Sequence, residues 1–204
     1  MPNTQQQIGN ATLLQKHKVA FLAASHISTL SVLPTLEWAA QMARREDVAV
    51  VSGFSSRMEE EVLHMLLRGK CGIILMLGRQ HYKVLPNVWQ KPLADNRLLI
   101  ISTSKQTRQS RQAAAERNAK VCDMADEVVM PCTPPEDSSL HRLYEIFKVA
   151  VNKVKLLRLS KSLYCLKGIG EHITSTSNPL DITPACCLRL RSSLIFKCWM
   201  MGLG

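Results

Sequence analysis

Five short apolar runs punctuate the chain: "KVAFLAAS" from Lys18, "VAVVSG" from Val48, "GIILMLG" from Gly72, "RLLIIS" from Arg97 and "DEVVMP" from Asp126. Each is too short for a helix and lacks polar alternation, the pattern of strands buried on both faces. The polar-rich stretches between them carry helical spacing. Leu36, Ala39, Ala40 and Ala43 recur one helical turn apart behind Pro34, a residue suited to a first turn. Met58, Val62, Met65 and Leu66 do the same, with Ser56 and Glu59 at the S-x-x-E spacing of a capping box and Gly69 at the far end. Ala113, Ala114, Val121 and Met124 mark one face of a helix between Gln106 and Met124.

Strands that alternate with helices at this spacing require crossover connections, which build a parallel sheet covered on both faces. The predicted class is therefore α/β, a Rossmann-like three-layer fold with a mostly parallel sheet. The pattern divides the chain into a polar N-terminal arm (1–17), the Rossmann-like domain (18–134), a basic amphipathic helical extension (135–167) and an irregular tail (168–204). In the extension, Leu143, Ile146, Val149 or Ala150, and Val154 are expected to face inward along a single helix. The tail has no periodicity and no function is assigned to it.

Composition narrows the functional classes. At 204 residues, with 46% hydrophobic and 21% charged positions, the chain can bury one good core. Aromatic residues make up 5%, too few for a platform that stacks many bases. Seven cysteines, an odd number without C-x-x-C spacing, indicate neither a zinc knuckle nor a disulfide framework. Reduced thiols, a polar N-terminus unlike a signal peptide and the lack of a long apolar span lead us to expect a cytoplasmic protein with no membrane partner.

The net charge of +10 is unevenly spread. Residues 79–120 hold nine Lys and Arg against Asp95 and Glu116, a local +7, whereas residues 121–150 hold six acids against Arg142 and Lys148. A basic middle segment points to an anionic partner, nucleic acid or a nucleotide phosphate, or to a solvated helix face.

Open parallel sheets collect ligands where strands end and helices begin, because free backbone N–H groups converge there. The ends to consider are Ser25 after the first strand, Ser52, Gly53, Ser55 and Ser56 after the second, and Gly78 and Arg79 after the third. Glycine at 53 permits a sharp turn or close approach to a ligand, and the serines offer amides and hydroxyls to a phosphate. Glu59, Glu60 and Glu61 support the competing reading of a well-capped helix, since acids in a first turn already satisfy its dipole. Neither G-x-G-x-x-G nor G-x-x-x-x-G-K-[ST] is present, so no dinucleotide fingerprint or P-loop is indicated. His26, His64 and His81 stand singly, and Ser104 with Lys105 lacks an orienting third group. No catalytic residue, metal or cofactor is assigned. Trp38 is expected in the core, Trp89 as an anchor of the basic loop, and Cys71 and Cys122 as inert packing.

The stretch "VVSGFSSRMEEEVLHMLLRGKCGIILMLGR", followed by "WQKPLADNRLLIIS" and "AAERNAKVCDMADEVVM", resembles the DNA-processing protein A family (DprA/Smf) of the SLOG superfamily, most closely its short single-domain relatives. The likeness covers roughly 18–131. By this resemblance Ser52, Gly53 and Glu59 fall on the family's S-G and following acidic position, and Arg117 and Asn118 on its R-N pair. It implies a core that binds single-stranded DNA and helps to load a RecA-type recombinase onto it. Lys83, Lys105, Arg108, Arg111 and Lys120 would then form a strip for the nucleic-acid backbone, with little base readout. The chain departs from the family in four places. "ASHISTLSVLP" lacks the usual glycine and arginine, Arg57 replaces a second glycine, no winged-helix domain is recognisable, and after "DEVVMP" the match fades where the fuller family continues with a Ser- and Gly-rich ligand loop. A nucleotide-binding SLOG sensor remains the alternative, with a nucleotide hydrolase behind it, although P-G-G-x-G-T-x-x-E is absent. A homodimer is left open.

Overall fold

The computed structural model describes residues 6–151 and 154–157. The expectations for 168–204, and for the end of the extension beyond 157, lie outside the described residues. Seven strands form one sheet: β1 (Gln6–Gly9), β2 (His17–Phe21), β3 (Val48–Ser52), β4 (Gly72–Leu77), β5 (Leu98–Ser102), β6 (Glu127–Met130) and β7 (Val154–Leu156). Their order across the sheet is β1-β5-β4-β3-β2-β6-β7. Every neighbouring pair is parallel except β1 with β5.

The helices are α1 (Val32–Ala43), α2 (Arg57–Leu67), the short α3 (Gln90–Ala94), α4 (Arg111–Met124) and α5 (Ser139–Val151). Alternation along each strand sends successive side chains into opposite layers. Val19, Phe21, Val50, Ile73, Leu75 and Ile100 pack with Trp38 and Ala39 of α1 and Val62 and Leu66 of α2. Ala20, Val51, Ile74, Met76 and Ile101 pack on the other side with Val121 and Cys122 of α4 and Leu140, Tyr144 and Phe147 of α5. Both faces of the sheet are thus apolar, which explains why the runs carry no polar alternation. Each fully buried Ile or Leu in them contributes roughly 1.5–3 kcal/mol of transfer free energy. The fold is the expected Rossmann-like, three-layer α/β class.

Three elements depart from the sequence reading. Part of the polar arm is a strand: β1 pairs antiparallel with β5, and the Asn10 N–H then donates to the Leu98 carbonyl at 3.0 Å. Ile8 is its one large apolar residue, so a four-residue edge strand left no periodic signal. The extension is not one helix. The helix closes at Val151, and Val154–Leu156 instead add a parallel strand beside β6, where pairing with Val128, Val129 and Met130 satisfies the backbone. The inward stripe of α5 is Leu140, Tyr144 and Phe147, whereas Ile146, expected inside, is 46% exposed.

Two glycine-containing turns shape the carboxyl rim. After β3 the left-handed residue is Phe54, with φ of 45°, and its N–H donates to the Ser52 hydroxyl at 3.2 Å. After β4, Gly78 passes so close to the first turn of α4 that a Cβ there would lie 2.9 Å from the Ala113 carbonyl oxygen and from Gln109 Oε1.

Candidate nucleic-acid interface

The chain reverses direction across the sheet between β2 and β6: β3, β4 and β5 extend to one side of β2, and β6 and β7 to the other. The carboxyl ends on either side of such a switch point form the usual ligand crevice of an open α/β sheet. Here an internal carboxylate lies beside it, tying the end of β2 to the turn after β3.

Glu59 is 2% exposed. Its Oε1 accepts the Ala23 N–H at 3.0 Å, just beyond β2, and its Oε2 accepts the N–H groups of Ser55 at 2.8 Å and Ser56 at 3.2 Å. The Ser56 hydroxyl in turn accepts the Glu59 N–H at 3.3 Å, completing the capping box that the S-x-x-E spacing predicted. One side chain therefore caps α2, closes the turn after β3 and ties that turn to the end of β2. Burial raises the Glu59 carboxyl above its ordinary pKa, against the opposing pull of those three amides and of Arg117.

Arg117 supplies the countercharge and is equally buried, at 2% exposure. Its Nη2 donates to the Ser55 hydroxyl at 3.1 Å and to Asn118 Oδ1 at 2.8 Å, its Nε to the same Oδ1 at 3.1 Å, and its Nη1 to Gln109 Oε1 at 3.4 Å. The guanidinium fills the space over Gly53, where any Cβ would overlap it. Desolvation lowers the Arg117 pKa and Glu59 raises it. The Ser55 hydroxyl joins the two ions, accepting from Arg117 while lying 3.4 Å from Glu59 Oε2.

Ser52, Gly53, Ser55, Ser56, Gly78, Arg117 and Asn118 thus gather at one rim, with Gln109 between Arg117 and Gly78. The arrangement favours the capped-helix reading for the Ser55 and Ser56 amides, because both are already donated inward to Glu59. Gly53 and Gly78 are required by close approach of Arg117 and α4, whose atoms fill the space above them. Ser25 stands apart: it is exposed and lines a cavity of about 460 Å³ between the starts of α1 and α2, with His26, Ile27, Leu36 and Met58.

Beside this inward-facing cluster lies an outward-facing one. The Ser102 hydroxyl donates to the Arg79 carbonyl at 2.8 Å, and the Gln80 N–H donates to the Gln106 carbonyl at 2.8 Å, so the loops after β4 and β5 are laced together. They present Arg79 and Lys83 from one loop next to Lys105 and Arg108 from the other, with Arg111 at the start of α4. Lys83, Lys105, Arg108 and Arg111 are exposed, and none has an ion pair among the described residues. Arg79 lies 4.1 Å from the Tyr82 ring centroid, and Tyr82 meets Trp89 edge to face at 5.1 Å. Trp89 is buried as the anchor of this loop, and Trp38 stacks on Phe21 at 5.0 Å in the core. Lys120 does not join the strip: nine residues beyond Arg111, it sits about 13 Å further down α4 and on the opposite face.

Glu59 as a ligand of Ala23, Gln109 as a bridge and Tyr82 beneath Arg79 were not foreseen. The S-x-x-E spacing revealed the local half of the Glu59 role, but no pattern in the chain signals a contact 36 residues away. Among the described residues no group of His, Cys, Asp or Glu is placed to hold a metal ion, and no helix is long and apolar enough to cross a membrane. Cys71 and Cys122 are buried, and burial pushes the Cys71 thiol up to about 11.

No protein-family model matches the chain, and no curated protein sequence matches it either. Solved structures do. DNA processing protein A from Helicobacter pylori, described for its single-stranded DNA binding mode, superposes with a TM-score of 0.58 at 18% identity, over 78% of this chain and 75% of that one. This chain has the DNA processing protein A fold. DNA processing protein A from Streptococcus pneumoniae superposes with a TM-score of 0.53 at 16% identity, over 68% of this chain and 50% of that one. The chain thus spans half the length of the Streptococcus pneumoniae DNA processing protein A.

Proposed function

We propose that the protein binds single-stranded DNA without catalysing a reaction on it, by neutralising phosphates along the carboxyl rim. The observation that carries this reading is the division of labour at that rim. The buried cation, Arg117, is consumed by Asn118, Ser55 and Gln109 and balanced by Glu59, whereas Lys83, Lys105, Arg108 and Arg111 are exposed and form no ion pair among the described residues. Exposed cations on laced loops suit a flexible polyanion, and a backbone contact of this kind carries little sequence preference. The shared fold with a protein described for single-stranded DNA binding supports the same reading.

A free nucleotide in the crevice between Gly53 and Gly78 is the weaker reading, because Arg117 and Gln109 fill that space and Glu59 holds the amides a phosphate would need. Transfer of the strand to a RecA-type recombinase, in DNA uptake or recombination, follows from the family resemblance. It is checked by whether the protein speeds recombinase assembly on single strands.

The site itself is tested by substitution. Arg108→Ala with Arg111→Ala should weaken binding of a labelled single-stranded oligonucleotide about tenfold or more, as expected for two lost phosphate contacts. Lys120→Ala should leave it unchanged. Equal losses in both proteins would place the contact elsewhere.

A further inference from the structure

Two valines stand in solvent on the loop that joins β4 to α3. Val84 is 83% exposed, the highest value for a large hydrophobic side chain among the described residues, and Val88 is 63% exposed. A single exposed apolar side chain needs no explanation. This pair is set apart by its loop, whose inward positions are already filled: Tyr82 and Leu85 pack against the core, and Tyr82 meets the buried Trp89 ring edge to face. Backbone and side-chain contacts fix the rest. The His81 Nε2–H donates to the Gln6 carbonyl at 2.7 Å, the Gln80 N–H to the Gln106 carbonyl at 2.8 Å and the Trp89 N–H to the Pro86 carbonyl at 3.0 Å. Val84 and Val88 are therefore held outward by a stretch of chain anchored on both sides of them.

The same loop supplies two of the cations at the carboxyl rim. Lys83 immediately precedes Val84, is exposed and forms no ion pair among the described residues. Arg79 lies 4.1 Å from the Tyr82 ring centroid, so a planar guanidinium, an ammonium and two valines share one short loop. Phosphate and base demand different surfaces. A phosphate takes a cation, whereas the face of an unpaired base takes an apolar or planar contact. In a duplex those faces are stacked inside, and a protein surface meets only base edges and backbone. Cations flanked by exposed valines thus fit a strand whose bases are free and gain nothing extra from one whose bases are paired.

We infer that Val84 and Val88 pack against bases of the bound strand while Arg79 and Lys83 hold its phosphates, so that this loop makes the protein prefer single strands to duplex. This rests on the phosphate-binding reading above and adds to it a source of strand preference, which cations alone do not supply. An apolar contact reads no base edge, so the preference is for unpaired bases of any sequence.

The test is fluorescence anisotropy of the full chain with labelled probes of equal length: a thymidine oligonucleotide, the same strand made abasic, and a duplex. Val84→Ser with Val88→Ser, both at exposed positions, should weaken binding of the thymidine strand by about fivefold or more. The loss should be the same factor at every salt concentration, because an apolar contact releases no counterions. Binding of the abasic strand and of the duplex should not change. The unaltered protein should bind the thymidine strand more tightly than the abasic one, and the double substitution should narrow that gap by the factor it costs. Equal affinity of the unaltered protein for the two strands would overturn the inference and leave the phosphate reading standing. So would an undiminished affinity in the valine variant, the result expected if the valines face another protein. Binding by the unaltered protein that ignores salt would instead sink the phosphate reading on which the inference rests.

Discussion

Gly53 is required because a guanidinium lies where its side chain would be. The positive φ of the turn falls one residue later, on Phe54. Overpacking of a tight site costs about 1–3 kcal/mol, so Gly53→Ala should destabilise by that order. Arg117→Ala should cost more, about 3–5 kcal/mol, because it strands the Glu59 carboxylate in a buried site without its cation. The two changes should not add: with Arg117 truncated, the Cβ at 53 has room and its cost should nearly vanish. Urea unfolding of the two single variants and the double variant measures this coupling, and additive costs would show that the guanidinium does not occupy that space. A sequence can place serine, glycine and glutamate in one short turn, but whether a phosphate or the protein's own carboxylate takes the amides depends on the Glu59 rotamer and on Ala23, far away in the chain.

At the scale of elements, legibility followed burial. β2 to β6 announce themselves because both faces of each are apolar, and α2 because Ser56, Glu59 and its apolar stripe agree. β1 and β7, with four and three residues that are exposed or only half-buried, owe their conformation to the partner strand, a tertiary cause that local pattern does not carry. The start of β2 is fixed to the start of β6 by Asp126, whose carboxylate accepts the Lys18 N–H at 2.7 Å and the Lys18 ammonium at 3.1 Å. The backbone hydrogen bond from Lys18, helped by its ammonium, holds the Asp126 carboxyl below its ordinary range. A depressed carboxyl pKa gives stability that is present above the unfolded value and lost as pH falls through the folded one. Asp126→Asn should therefore be less stable than the unaltered protein at neutral pH, with the gap closing below about pH 4. Urea midpoints across that range check it, and a gap that stays constant with pH would refute the assignment.

For the whole molecule, the sheet separates two kinds of charge. Buried ions at the ends of β2 and β3, Glu59 and Arg117, tie the carboxyl rim together, and the exposed bases Lys83, Lys105, Arg108 and Arg111 on the adjoining loops form no ion pair among the described residues. This division could not be read from the local +7 of residues 79–120, since that count includes Arg117, which is internal, Arg97, which caps α2 at the far rim, Lys91, which lies beside Arg97 there, and Lys120, which lies down the helix. Folding removes these four from the strip and leaves a smaller, better placed set. The central claim is that this set binds the phosphates of a single strand, and the most direct test is fluorescence anisotropy with single- and double-stranded oligonucleotides over a salt series. Four phosphate contacts predict a slope of about −2.8 in log affinity against log salt for single strands, or roughly a fiftyfold loss between 50 and 200 mM, with Arg108→Ala and Arg111→Ala making the slope shallower by about 1.4. An affinity indifferent to salt, or a slope unchanged by those substitutions, would contradict it.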